Sequence, residues 1–95
     1  MTSSAVLFDQ VAQALSDVID PELGMSVVDV GLIYSAEKIA DGQILIRMTT
    51  TTRGCPLSGL LVDAVRARVA SLALAARVDV ELTYDPPWSA DMMRS

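Results

Sequence analysis

The chain contains no histidine and one cysteine, Cys55, and these shortages exclude more chemistry than any single motif does. Without imidazole there is no Ser–His–Asp or Cys–His nucleophile pair and no His-ligated zinc. One thiol forms neither an internal disulfide nor a CxxC pair. Positive charge is also short. Seven basic residues face twelve acidic ones, a net charge of −5, and Lys38, Arg47, Arg53, Arg66, Arg68 and Arg77 are dispersed rather than striped. Nucleic-acid binding depends on neutralising phosphates, so this balance argues against it. No apolar run approaches the ~18–20 residues of a membrane span. Met1-Thr2-Ser3-Ser4 lacks the basic flank and apolar stretch of a secretory signal. With an unpaired thiol besides, the expected compartment is a reducing cytoplasm.

What is present is enough for one core. Ninety-five residues, 52% of them hydrophobic, make a single domain over 1–95, with 1–4 and 94–95 expected to fray. The mean hydropathy of +0.42 argues against disorder. Ser3 or Ser4 can cap a helix running to about Ile19, with Leu7, Val11, Leu15 and Val18 on its inner face. Pro21 disfavours helical geometry at Asp20 and stops it. Residues 27–39 turn to Val, Leu, Ile and Tyr and read as a strand, in which Gly31 marks a bulge or a close backbone approach.

Asp41-Gly42 is a hairpin signal. The return strand places Ile44, Ile46 and Met48 on one face and Leu45, Arg47 and Thr49 on the other. It runs into Thr49-Thr50-Thr51-Thr52 and breaks at Arg53-Gly54-Cys55-Pro56. Pro56 suits the first position of a second helix. Leu57, Leu61, Val65, Val69 and Leu72 are its inward stripe, and it ends near Ala76. A third strand alternates Val78, Val80, Leu82 and Tyr84 against Asp79, Glu81 and Thr83. Asp85-Pro86-Pro87-Trp88 closes it, and Ser89 can cap a short last helix. The fold class is therefore α+β: a two-layer α-β-β-α-β domain with a three-stranded mixed sheet and helices on one face. A right-handed crossover sets the third strand parallel to the second, without saying which strand it lies beside.

Cys55 falls between a strand and the first turn of a helix, where unpaired N–H groups and the helix dipole favour a thiolate. Such a thiolate binds soft metal or attacks as a nucleophile; a small buried hydrophobe is the other reading. Thr52-Arg53-Gly54-Cys55 has the Thr-x-x-Cys spacing of peroxide-reducing cysteines, but Met48 stands where that pattern wants proline. No base is at hand for an acyltransferase or protease. Metal or cluster binding survives best, and no enzymatic activity is expected. Asp20 and Glu22 flank Pro21, a rigid turn that can aim two carboxylates at one place or simply end a helix. Thr49 and Thr51 share a strand face and can hydrogen-bond a ligand, or serve β-propensity alone. Trp88, after two prolines, reads more readily as a core lid than as a binding platform.

Five segments in order resemble a known family: Val18-Ile19-Asp20-Pro21-Glu22-Leu23, Val28-Asp29-Val30-Gly31-Leu32-Ile33-Tyr34, Met48-Thr49-Thr50-Thr51, Gly54-Cys55-Pro56 and Asp85-Pro86-Pro87-Trp88. They are similar to the small iron–sulfur (metal–sulfur) cluster assembly factors once classed as a domain of unknown function. That family includes the bacterial SufT protein, the PaaD protein of phenylacetate degradation and the targeting subunits of eukaryotic cytosolic cluster assembly. The resemblance implies a fold like that of iron–sulfur cluster assembly domains, with a reactive cysteine at the start of the second long helix. Cys55 matches that cysteine, and Asp20 and Glu22 match an acidic pair lying near it. Thr49 and Thr51 match the hydroxyls leading to it. Gly54 and Pro56 flank it, and Pro21, Gly31, Pro86, Pro87 and Trp88 belong to the structural motifs. The chain lacks the further cysteine group of PaaD-type members, which points away from oxygenase maturation. It also stops at Ser95, where SufT-like members often continue.

A [2Fe–2S] or [4Fe–4S] cluster usually takes four thiolates, and this chain offers one. A two-fold homodimer would offer two, with glutathione, another thiol, a client or a carboxylate such as Glu22 supplying the rest. A site so incomplete suits transient carriage and delivery. The expected partners are iron–sulfur assembly machinery and client apoproteins, with neither nucleic acid nor membrane. The alternative is an adaptor that docks machinery to clients and never holds metal.

Overall fold

In the computed structural model, residues 4–21, 23–51 and 58–93 are described. They form α1 (Ser4–Leu15), β1 (Ile19–Asp20), β2 (Met25–Ser26), α2 (Val27–Val30), β3 (Ile33–Ala40), β4 (Gln43–Met48), α3 (Ser58–Ala70) and β5 (Arg77–Leu82), then a 3-10 turn, Ala90–Met92. The main sheet has the order β3-β4-β5. β3 runs antiparallel to β4, and β5 parallel to it. α1 packs on β3, α3 packs on β5, and the two helices touch each other, so both cover one face. The expected α+β architecture is thus observed, with β5 settled beside β4.

The inner faces supply a single aliphatic core. Leu7, Val11 and Leu15 of α1 meet Ile44, Ile46 and Met48 of β4 and Leu61, Val65 and Val69 of α3. Each such side chain stabilises the fold by about 1.5–3 kcal/mol when fully buried. The opposite face of the sheet is polar, carrying Arg47 against Glu81 at 3.4 Å and Gln43 donating to Asp79 at 2.6 Å. No helix among the described residues is long and apolar enough to cross a membrane.

Three segments depart from the sequence expectation. Residues 27–30 are not strand but one helical turn, buried through Val27, Val28 and Val30. β-Branched residues favour strand, yet the ends of this turn decide its fate. The Ser26 hydroxyl accepts the Asp29 N–H at 3.0 Å, and Gly31 caps the other end at φ 87°. The bulge assigned to Gly31 lies three residues on. Ile33 faces Met48 while Ser35 faces Arg47, which inserts Tyr34 as an extra residue and turns both Ile33 and Ala36 inward. The close approach expected at Gly31 is real: a Cβ there would strike the Met92 carbonyl oxygen.

Both long helices end early. α1 stops at Leu15 because the Ser16 hydroxyl donates to the Gln13 carbonyl at 2.8 Å and Ile19–Asp20 pairs with Met25–Ser26 instead. α3 stops at Ala70, where the Ser71 hydroxyl takes the Arg68 carbonyl at 2.6 Å and Ala73 turns to φ 56°. Asp41-Gly42 does form the hairpin loop; only Gly42 has positive φ there, 72°, so the turn is not the doubly positive type I′.

Candidate functional site

β4 ends at Met48, and the threonine run leaves the sheet rather than continuing its alternation. The Thr49 N–H donates to the Leu32 carbonyl at 2.9 Å. Thr49 is therefore 0% exposed, not on the solvent face beside Arg47, and Thr50 is buried with it. Thr51 is half-buried. Two further bonds of 2.9 Å extend this connection: Leu32 N–H to the Val27 carbonyl and Val27 N–H to the Val18 carbonyl. A backbone path thus joins the stem of the Asp20-Pro21 loop, the capped turn α2 and the threonine segment.

Asp20 is the buried carboxylate of this region, 2% exposed at the end of β1, with its carbonyl accepting the Gly24 N–H at 2.8 Å. Its burial requires partners, and no buried side-chain polar atom among the described residues is orphaned. Pro21 is exposed beside it. Glu22, Gly54, Cys55 and Pro56 lie outside the described residues. Among those described, no group of three Cys, Asp or Glu side chains is placed to hold a metal ion. The donors in hand are hydroxyls and one buried carboxylate, hard ligands that complement a thiolate rather than replace it.

The other motif residues are engaged with one another. Trp88 Nε1–H donates to the Val30 carbonyl at 2.8 Å, and its ring packs on the core as a lid. The Tyr34 hydroxyl donates to the Pro86 carbonyl at 2.8 Å and lies 3.6 Å from the Met92 sulfur. Pro86 and Pro87 are exposed and set the course of the segment that makes these contacts. Ser89 precedes the 3-10 turn but makes no side-chain cap.

The hydrogen-bonding roles of two tyrosines escaped sequence reasoning. The Thr50 and Tyr84 hydroxyls are hydrogen-bonded at 2.7 Å, tying the threonine segment to the end of β5. Tyr34 bridges both regions: burial raises its phenol above 10.0, while a hydrogen bond from Thr49 pulls the other way. The available signal was that a half-buried tyrosine needs a partner for its hydroxyl, and the threonine run was the nearest supply.

The fold is shared with solved structures. The crystal structure of the domain of unknown function DUF59 from Bacillus anthracis matches 95% of this chain and 86% of its own, with a TM-score of 0.85 and 31% identity. The class is thus a small α+β domain with two helices on a three-stranded mixed sheet. Among curated proteins, the Fe-S protein maturation auxiliary factor YitW of Bacillus subtilis is 39% identical, covering 92% of this chain and 85% of its own length. The Fe-S protein maturation auxiliary factor SufT of Staphylococcus aureus is 37% identical over 80% and 86%. The chain belongs to the iron–sulfur cluster assembly protein family, whose profile matches residues 9–82.

Proposed function

We propose that this chain assists the maturation of iron–sulfur proteins as a non-enzymatic cytoplasmic factor, carrying a cluster or iron transiently on Cys55 and passing it to client apoproteins. The observation that carries this reading is that a member of a cluster assembly family holds one thiol in 95 residues, and no imidazole. One thiolate cannot complete a four-ligand shell, so the remaining ligands come from a second chain, an external thiol or the client. Cargo held that way is easily released. Asp20 and Glu22 supplement the site, and Thr49 and Thr51 position it by hydrogen bonding.

Anaerobic reconstitution with iron and sulfide tests this. The wild-type chain should gain visible cluster absorption and pass it to an apo client, and Cys55→Ser should do neither. Identical behaviour of the two proteins would end the carrier model. A second reading, an adaptor without metal, is supported by the motif residues Tyr34, Pro86 and Trp88 being engaged with the rest of the fold. It expects Cys55→Ala to retain its partners in pull-down and to sustain client maturation in cells.

A further inference from the structure

A groove of about 880 Å³ opens where α1, the outer strand β3 and the C-terminal segment meet, and Asp20, Thr49 and Thr51 do not line it. Its volume is within the range of ~300–1,000 Å³ usual for ligand pockets. Phe8, Ile33, Tyr34 and Met92 give it an apolar lining. β3 lies at the edge of the sheet, with no further neighbouring strand among the described residues, so alternate backbone amides and carbonyls turn away from β4. The Tyr34 bulge kinks the strand here.

The charge in the groove is one-sided. Arg47 reaches it but is engaged by Glu81 at 3.4 Å. Asp9 and Asp85 also line it, both exposed, and neither carboxylate has a salt bridge or hydrogen bond among the described residues. We infer that this groove docks a short extended segment of a partner protein, one that places an apolar side chain between Phe8, Tyr34 and Met92 and a neighbouring Lys or Arg against Asp9 and Asp85. Main-chain bonds to an outer strand give such a contact affinity, and the side-chain pocket gives it selectivity. The basic residue would speed encounter and exclude acidic competitors. A second copy of this chain fits poorly, because it brings a net charge of −5 to a surface that is already acidic. The inference does not depend on what Cys55 carries.

Two capped heptapeptides of alternating Val and Thr with a central Leu, one with Arg beside the Leu and one with Glu there, are the probes. Titrated into the isotope-labelled full chain, the Arg peptide should shift the amide signals of Phe8, Tyr34, Ser35 and Met92. It should bind about tenfold more tightly than the Glu peptide. Asp9→Asn with Asp85→Asn should erase that preference while leaving the thermal midpoint unchanged, since both residues are exposed. Equal affinity for the two peptides, or no shift at millimolar peptide, overturns the proposal. So does a shift of the same amides with protein concentration alone, which would assign the groove to a second copy. Failure of cluster reconstitution leaves this result untouched.

Discussion

The two motif regions that meet around Leu32 are held by different kinds of bond. On one side, residues 30–34 and 85–92 are clasped by side chains reaching main chain across the sequence: Trp88 to Val30, Tyr34 to Pro86, and the Met92 carbonyl resting where Gly31 has no Cβ. On the other, 18–27 and 49–51 are joined through backbone hydrogen bonds, and they enclose the polar side chains of Asp20, Thr49 and Thr50. A clasp of this kind satisfies its own donors and leaves little chemistry over. Buried hydroxyls and a buried carboxylate are costly to place and are kept only with partners of their own. The family resemblance does not separate the two kinds of motif; the hydrogen bonds do.

Substitutions can break the contrast. Gly31→Ala combines a positive φ with a backbone collision, and should cost about 2–4 kcal/mol. That corresponds to a fall of roughly 4–8 °C in Tm for each kcal/mol in a domain of this size. A Tm within a degree of wild type would show that the clasp is dispensable. Asp20→Ala should cost less, about 1–3 kcal/mol, because it removes a buried carboxylate that is itself partnered. It should also impair client maturation more than its stability loss accounts for, whereas Gly31→Ala should impair maturation only as far as it unfolds the chain. If both variants scale activity with stability alone, the distinction between the regions fails.

The smallest effect is expected at the joint. Tyr34→Phe removes the exposed bond to Pro86 together with the same hydroxyl's contacts to Thr49 and Met92, and should cost about 0.5–1.5 kcal/mol by urea unfolding. Its pH dependence is more telling. Burial raises the folded phenol above 10.0, so the unfolded chain loses this proton first. The stability Tyr34 contributes is complete below that value and is lost as pH climbs through the higher folded one. Wild type should therefore lose stability above pH 10 more steeply than Tyr34→Phe; parallel curves would place the phenol outside the joint.

The sheet was readable because its signals are local. Ile44, Ile46 and Met48 alternate cleanly, Asp41-Gly42 turns the chain, and the pattern at Val78 and Val80 follows a helical stripe long enough to cross over. Residues 27–30 misled because a run of valines favours strand, while the deciding features are a Ser26 cap and a left-handed Gly31 at the ends of a single turn. Ser26-x-x-Asp29 has the spacing of a cap, and so short a helix has no periodicity that would have drawn attention to it. Thr49 misled in another way. Alternation put it outside, and a bond to Leu32, seventeen positions earlier, draws it in. Of the candidate site, Asp20, Thr49 and Thr50 are each buried, Thr51 is half-buried, and Cys55 and Glu22 lie outside the described residues.

The bond from Trp88 to Val30 spans 58 positions, as does the contact of Tyr34 with Met92. During synthesis, α1 through β4 emerge with their hairpin contacts already within reach. The surface of Val30, Gly31 and Tyr34 stays uncovered until residues 85–92 have left the ribosome. Closing so long a loop carries its entropic cost before any contact rewards it. The clasp is therefore a late-closing element: a chain interrupted before residue 85 lacks the contacts that cover this surface.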